Sequence, residues 1–286
     1  MNATGYGIFF NCLKAVYSFL CGDVSYASEL TNVSSTVGQL IAGIATTLAT
    51  LLIYMALAKQ SAIVAEHHPE TIFKFLIRSV IVYILVLHSA EFFGETMISA
   101  FNSLAKDVFT NFGIDGTKDS FEKFVGGYSL GEIVKNILSK IISLANPKDW
   151  ISYLISPIYS VMLMITGLEL MISAFTRFFK IYMYTCFLPI GIAYFAEPSF
   201  SQYGKNYARA YLGACLEGVT IAVAILMFLA FSKAYNNIEE NFWARLLMVS
   251  KYSETTKYIF RIAILQTFKS ICKNADTITN KLFGFA

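Results

Sequence analysis

Charged residues are scarce in this chain of 286 residues. Asp, Glu, Lys and Arg together make up 14% of it, against roughly 25% in an ordinary soluble domain. Hydrophobic residues make up 56% and the mean hydropathy is +0.57. This composition excludes an ordinary soluble globular domain and predicts an all-α integral membrane protein, because a lipid-exposed segment must satisfy its own backbone hydrogen bonds.

The sequence also lacks the motifs of common enzymes and cofactor sites. It contains no GxxxxGK[ST], HExxH, GxSxG or GxGxxG pattern, and its three His residues suggest no nucleophile relay. Its five Cys residues form no CxxC pair, so neither a disulfide framework nor a zinc site is predicted. The polar cluster Glu66–Glu70 is interpreted as a turn in preference to a metal site. We predict no catalytic activity, no metal and no cofactor.

Long apolar runs predict about five transmembrane helices, since about 20 apolar residues cross the hydrocarbon core. They are Val37–Ala58, Ile72–Phe93, Ile151–Thr176, Ile181–Ala196 and Tyr211–Ser232. The third and fourth runs could instead form one re-entrant hairpin. The shorter run Tyr6–Leu20 predicts an interfacial amphipathic helix.

Short-loop cations predict the orientation of these spans. With five spans, Lys59 and Lys74 share a side with Arg177 and Lys180 and with the basic C-terminal tail. We therefore expect the N-terminus outside and the C-terminus in the cytoplasm. Three regions follow: an outer segment 1–36 with the interfacial helix, a membrane domain 37–232 with an outer loop 102–149, and a cytoplasmic tail 233–286.

The stretch between the third and fourth runs carries two cations and is soon followed by a helix breaker. Arg177 and Lys180 are predicted to anchor a tight cytoplasmic turn. Pro189 is expected to kink or break the fourth span, with Gly191 allowing a close backbone approach. Packing is favoured over a gate as the role of this bend.

Two carboxylates, Glu169 and Glu217, fall within predicted spans, where an ionised group needs a partner. Gly213 and Glu217 lie on one face of the fifth span, in a small and polar stripe suited to helix packing. Glu169 could pair with Arg177 or with a cation of another subunit. The alternatives are structural ion pairs and the polar lining of a conduit.

The regions outside the predicted spans contain further helices. In the outer loop, helical spacing continues the second span as far as Gly113, and Ser129 and Glu132 form a capping box for another helix. In the tail, four cations accompany an apolar helical periodicity: Lys257, Arg261, Lys269 and Lys273. A basic amphipathic helix on the cytoplasmic leaflet is the first interpretation, and docking to a partner protein is the alternative.

One sixth of the chain resembles a known family. The runs RFFKIYMYTCFLPIGIAYFAEPS and GKNYARAYLGACLEGVTIAVAI are similar to the corresponding region of TrbL-type conjugal transfer proteins of Bacillota. The positions that carry the resemblance are Arg177, Phe178, Phe179, Lys180, Tyr182, Tyr184, Pro189, Gly204, Lys205, Tyr211, Cys215, Leu216, Glu217 and Gly218. These proteins are multi-pass subunits of type IV secretion and conjugation machines in the bacterial plasma membrane.

The resemblance implies a non-catalytic channel or platform subunit through which DNA and its attached protein leave the cell. It implies homo-oligomers, contact with other membrane subunits, dependence on partner ATPases for energy, and transient contact with the translocated DNA–protein substrate. A stand-alone transporter or channel for a small solute is the second hypothesis. A membrane enzyme comes last, because only scattered carboxylates lie within the spans.

Overall fold

Helices make up all the regular structure of the residues that the computed structural model describes, namely 2–22, 27–64, 69–125, 150–237 and 254–284. Their bounds are α1 Asn2–Cys21, α2 Ala27–Val64, α3 Pro69–Leu87, a π-helical turn Ala90–Met97, α4 Ile98–Thr110, α5 Lys118–Val125, α6 Trp150–Ala193, α7 Ser201–Asn237, α8 Glu254–Lys273 and α9 Ala275–Leu282. Two short 3₁₀ turns, Tyr194–Ala196 and Pro198–Phe200, join α6 to α7. The all-helical fold class is confirmed for these residues.

Three of the described helices are long and apolar enough to cross a membrane, within Glu29–Lys59, Pro157–Ala196 and Pro198–Ser232. A fourth crossing is possible if the pair Phe73–Leu87 and Phe92–Thr110, which bends by 72°, is one span. The second predicted span, Ile72–Phe93, therefore meets a bend at its end. These helices agree with a multi-pass membrane protein.

The predicted turn between the third and fourth spans is wrong. Arg177 and Lys180 lie inside α6, which is one continuous helix of 44 residues. Between Leu168 and Leu188 the sequence has no Gly, Pro, Asn or Asp to form a turn. A charged side chain does not interrupt backbone hydrogen bonding by itself, so the helix continues wherever the charge finds partners. The predicted third and fourth spans therefore belong to one helix.

The chain divides into two compact units. The first comprises the described parts of Met1–Cys21, Leu104–Phe175 and Val219–Ile278, and the second those of Gly22–Ser103, Thr176–Gly218 and Thr279–Ala286. Helices α6 and α7 each contribute one half to each unit.

Aromatic packing around α1 forms the core of the first unit. The Tyr17 ring lies 5.2 Å from that of Phe109 and 6.4 Å from that of Phe121, and Phe9 lies 6.0 Å from Phe228. The sequence predicted an interfacial helix here, and in the structure the apolar side chains of α1 are buried by protein. An apolar run does not by itself distinguish a lipid surface from a protein surface.

The turn between α4 and α5 fits closely against α1 in the same unit. It lies where the sequence predicted a turn, at Gly113–Gly116, and Gly116 has a φ of 79°. A Cβ atom there would lie 2.3 Å from Cε1 of Tyr17, so glycine satisfies both the backbone conformation and the space. Asp115 accepts hydrogen bonds in this turn from Ser120 and Thr117, which lower the pKa of its carboxyl to about 2. The capping box at Ser129 and Glu132 lies outside the described residues.

The second unit is a bundle in which α2 packs against α3 and against the end of α6. Its core includes Ala45, Ala49, Val86, Leu188 and Ala193. Small alanines on α2 let its neighbours approach closely, as is common between membrane helices. This bundle positions the polar residues described next.

Candidate functional site

A buried arginine joins α6 to α7 in the second unit. Arg177 is only 1% exposed. Its Nε donates a hydrogen bond to the carbonyl oxygen of Ala214 at 3.3 Å, and its Nη2 donates one to that of Cys215 at 3.0 Å. A helical carbonyl has a second lone pair for such a bond. The charge is therefore bound by the backbone of the neighbouring helix instead of reaching the lipid headgroups.

Gly218 provides the space for the Arg177 side chain. A Cβ atom at this position would lie 2.0 Å from Cζ of Arg177 and 2.4 Å from Nε. Only a residue without a side chain fits beneath the guanidinium in this arrangement. We call Arg177, Gly218 and the two carbonyl groups of Ala214 and Cys215 the arginine joint.

An ion pair lies next to the arginine joint. Lys180, three residues after Arg177 and so on the same side of α6, has its Nζ 3.5 Å from Oε2 of Glu217 on α7. Glu217 is buried, and Lys180 is about one-third exposed. The carboxylate that was weighed as part of a conduit thus contacts a cation of the neighbouring helix.

Two tyrosines of α7 donate hydrogen bonds to backbone carbonyl groups at irregular points of the bundle. Tyr211 donates to the carbonyl of Phe93 at 2.7 Å, within the π-helical turn. Tyr207 donates to the carbonyl of Tyr184. The next carbonyl, that of Thr185, receives no helical hydrogen bond from Pro189, because proline has no N–H. Buried backbone acceptors need such donors wherever water is absent.

Helix α6 continues through Pro189 to Ala193, so the predicted break at this proline is absent. Pro189 is buried. Gly191 does allow close packing, as predicted: a Cβ atom there would lie 2.4 Å from Cδ1 of Tyr207. Gly204 approaches the same point from α7, with its hypothetical Cβ 3.0 Å from the Gly191 carbonyl oxygen. These glycines pack the two helices together near their connection.

The connection between α6 and α7 is held by a second polar cluster. Glu197, buried to 2% exposure, pairs with Lys59 of α2 at 2.9 Å and accepts hydrogen bonds from Ser199 and from the backbone N–H of Phe200. Arg78 of α3 donates to the carbonyl oxygen of Phe195 at 2.8 Å. Burial acts to raise the pKa of Glu197, but the hydrogen bonds from Lys59 and Ser199 and the charge of Lys59 outweigh it and lower that pKa. The cluster links four segments of the bundle.

In the first unit, Glu169 pairs with the tail and not with Arg177. Its Oε1 lies 2.9 Å from Nζ of Lys269 on α8. Phe268, one residue before this lysine, stacks on Phe228 of α7 with the ring centroids 4.3 Å apart. The apolar side of α8 therefore packs on protein, whereas the first interpretation placed it on lipid. Membrane or partner contact by Arg261 and Lys273 stays a prediction, and the side chain of Lys257 lies outside the described residues.

The predicted packing or conduit residues are divided between the two units. Pro189, Gly191, Gly213 and Glu217 belong to the second unit, and Glu169 belongs to the first. Gly213 is buried on α7 but is not the glycine under Arg177. Sequence reasoning missed Tyr207 and the Glu197 cluster, and it gave Gly218 and Tyr211 only as positions of the family resemblance. The signal that could have found Gly218 is the run GACLEG, residues 213–218, in which small residues flank Glu217. The apolar helix before it carries Arg177.

The polar groups described above in the second unit bind helices to one another. Within the described part of the chain, no group of three His, Cys, Asp or Glu side chains could hold a metal ion. All five cysteines are buried, and none forms a disulfide. Comparisons of the chain with protein-family models, curated proteins and solved structures found no match.

Proposed function

We propose that this protein is a non-catalytic channel or platform subunit of a type IV secretion machine for conjugative DNA transfer, in a bacterial plasma membrane. The observation that supports the proposal is where the residues of the family resemblance lie in the structure. Several residues of the TrbL-type resemblance, among them Arg177, Cys215 and Gly218, are those that hold α6 against α7. A sequence pattern that coincides with a helix joint is suited to a structural role.

The remaining parts of this proposal concern partners. Partner ATPases supply the energy for transfer. Other membrane subunits and further copies of this chain surround the path, and the DNA–protein substrate contacts the subunit transiently. The bilayer solvates the exposed apolar side chains of α2 and α3.

We further propose that α6 crosses the membrane once. In that layout, Asp119 of α5 and Ser270 of the tail lie on the same side of the membrane, and Gln202, at the start of α7, lies on the other side. The five-span layout instead places Asp119 and Gln202 together, opposite Ser270. Single Cys substitutions at these three exposed positions, labelled in intact cells with a membrane-impermeant thiol reagent, distinguish the two layouts. Labelling that separates Ser270 from both other positions would restore the fifth crossing.

The transfer role is tested by an in-frame deletion of the gene in its native host. We expect loss of conjugative transfer with normal growth, and recovery on complementation with the wild-type gene. Complementation with Gly218→Ala should fail, whereas Gly43→Ala, which meets no atom within 4 Å of its new Cβ, should restore transfer. Undiminished transfer from the deletion strain would exclude the proposal.

One observation favours the stand-alone transporter as the second candidate. The 72° bend between α3 and α4 is a break in a pair of helices that together are long and apolar enough for one span, and discontinuous helices form the substrate sites of many transporters. The break that the sequence suggested lay instead at Pro189. A deletion strain with normal transfer but impaired uptake of a solute would favour this candidate.

A further inference from the structure

The connection between α6 and α7 lies at a basic end of the second unit. Its Glu197 pairs with Lys59 of α2, and its Phe195 carbonyl accepts a hydrogen bond from Arg78 of α3. These contacts bring together the last two turns of α2, the first three turns of α3, the connection and the first three turns of α7. The described residues of these segments include two acids, Glu70 and Glu197, and five cations: Lys59, Lys74, Arg78, Lys205 and Arg209. We call the five cations the basic rim.

Three cations of the basic rim have no protein partner within the described chain. Lys74, Lys205 and Arg209 are exposed, and none of them forms an ion pair or a hydrogen bond with a described residue. Lys205 and Arg209 are four residues apart, so they share one face of α7. Glu197 is buried and already paired with Lys59. The positive charge of this end is therefore available to a partner outside this chain.

The length of α7 places two of these cations outside the hydrocarbon core. The apolar stretch Pro198–Ser232 has 35 residues, about 52 Å of helix. A core of about 30 Å, crossed at the average tilt of about 20°, accommodates about 21 of them. The core takes the part in which no charge has to be buried, and residues 219–232 carry none. The excess of about 14 residues therefore falls at the start of α7, which carries Lys205 and Arg209.

The surface beside the basic rim is apolar and aromatic. The Tyr203 side chain is 60% exposed, and its ring centroid lies 5.8 Å from that of Tyr194 and 6.1 Å from that of Phe200. Exposed apolar side chains of α2 and α3 lie within a few turns of Lys59 and Lys74: Leu51, Tyr54, Leu57, Phe73, Leu76 and Ile77. Tyrosine rings and cations beside an apolar surface are typical of the boundary between hydrocarbon and water.

We propose that the basic rim lies in the headgroup layer of one leaflet and that Lys74, Lys205 and Arg209 bind the phosphate groups of anionic phospholipids. The spacing of the cations matches this layer. Lys205 and Arg209 are separated by about 6 Å along the helix axis, and each headgroup layer is about 5–8 Å thick. Phosphate oxygens accept hydrogen bonds from ammonium and guanidinium groups. Each such cation near an anionic surface strengthens binding about fivefold.

The apolar surface beside the basic rim favours lipid over nucleic acid as the partner. DNA offers phosphate groups to the cations, but it would leave the side chains of Leu57, Phe73 and Leu76 in water. A phospholipid offers a phosphate group to the cations and acyl chains to these side chains. The inference uses the membrane location of the chain and does not depend on its cargo.

Thermal unfolding of the purified full-length protein tests this surface. The protein is kept in an uncharged detergent, and its melting temperature is followed as anionic phosphatidylglycerol or the net-neutral phosphatidylcholine is added. A lipid that binds the native state raises the melting temperature by mass action. The rim variants are Lys74→Gln and the double variant Lys205→Gln with Arg209→Gln. The matched control is the double variant Lys14→Gln with Lys106→Gln, at exposed positions of the first unit.

We expect phosphatidylglycerol to stabilise the wild type at lower concentrations than phosphatidylcholine does. The double rim variant should need about 25-fold more phosphatidylglycerol for the same rise in melting temperature and Lys74→Gln about fivefold more, whereas the control should match the wild type. Equal responses to the two lipids, an unchanged response of the double rim variant, or an equal loss in the control would each overturn the proposal.

A single-stranded oligonucleotide, added in place of lipid, tests the alternative partner. It should leave the melting temperature of the wild type unchanged. Stabilisation by the oligonucleotide that disappears in the double rim variant would assign the basic rim to nucleic acid and overturn the proposal. No step of conjugative transfer enters this readout, so the lipid contact and the secretion role can fail independently.

Discussion

Replacing Gly218 by alanine should destabilise the protein strongly through the arginine joint. The new Cβ would lie 2.0 Å from Cζ of Arg177 and 2.4 Å from its Nε and Nη1. Arginine is long and flexible, but this one is 1% exposed, so it has no solvent into which to turn. Its displacement would break the hydrogen bonds to the carbonyl groups of Ala214 and Cys215.

The magnitude follows from two terms of the same sign. Overpacking a filled core costs about 1–3 kcal/mol, and a lost hydrogen bond to a charged group adds about 1.5–3 kcal/mol. We expect a loss of about 3 kcal/mol, because the guanidinium can keep one bond after a partial shift. In a chain of this size each kcal/mol lowers the melting temperature by about 2–4 °C, so the helical circular dichroism signal should melt about 6–12 °C lower in the same detergent.

Two further variants isolate the cause. Gly43→Ala makes the same substitution in α2 where the new Cβ meets nothing within 4 Å, and it should leave stability unchanged or raise it by up to about 1 kcal/mol. In an Arg177→Met background, Gly218→Ala should cost much less than in the wild type, since the group that it strikes is gone. An equal cost of Gly218→Ala in both backgrounds would refute the arginine joint as the source of the effect.

Other polar contacts give smaller, separable predictions. Tyr211→Phe removes the donor to the Phe93 carbonyl and should lower the unfolding free energy by about 1 kcal/mol. The control Tyr203→Phe changes an exposed ring and should leave the unfolding free energy unchanged, so equal melting temperatures for the two variants would argue against the Tyr211 contact. The Glu169–Lys269 pair is partly exposed, so Lys269→Glu should lower the unfolding free energy by about 1 kcal/mol or less. Adding Glu169→Lys to the same chain exchanges the two charges and should restore the melting temperature, and no recovery would contradict a direct pair. The pKa of Glu197 is lowered from its ordinary 4.5, so the unfolded state binds more protons than the folded state as the pH falls below 4.5. The stability that this carboxylate contributes is therefore present above pH 4.5 and lost below it. The difference in melting temperature between wild type and Glu197→Gln should shrink on acidification from pH 6 to pH 3, and a difference independent of pH would contradict the ion pair with Lys59.

Apolar length and helical periodicity were enough to predict the fold class and the approximate positions of the long helices. The runs Val37–Ala58 and Tyr211–Ser232 lie within α2 and α7, and the end of α4 falls close to the predicted Gly113. These features depend on local sequence, because a helix in an apolar environment must satisfy its own backbone hydrogen bonds.

The number of membrane crossings could not be predicted from apolar length and helical periodicity. Arg177 and Lys180 can anchor a turn at a membrane surface or form ion pairs and hydrogen bonds inside a helix pair. The lack of Gly, Pro, Asn and Asp between Leu168 and Leu188 favours a continuous helix, but it does not identify the groups that bind the two cations. The difference comes from α7, about 40 residues later, whose carbonyl groups and Glu217 accept these cations. Long-range partners of this kind set the cost of a buried charge.

The contacts of the polar residues in the second unit favour helix packing over a conduit as their role. A conduit exposes its polar groups to water and cargo, whereas a helix joint directs them into the protein. Arg177 donates to backbone carbonyls, Lys180 contacts Glu217, and Tyr207 and Tyr211 donate to the backbone beside Pro189 and within the π-helical turn. Each of these contacts holds one helix to another, so the polar residues of α6 and α7 give this pair of helices a fixed register.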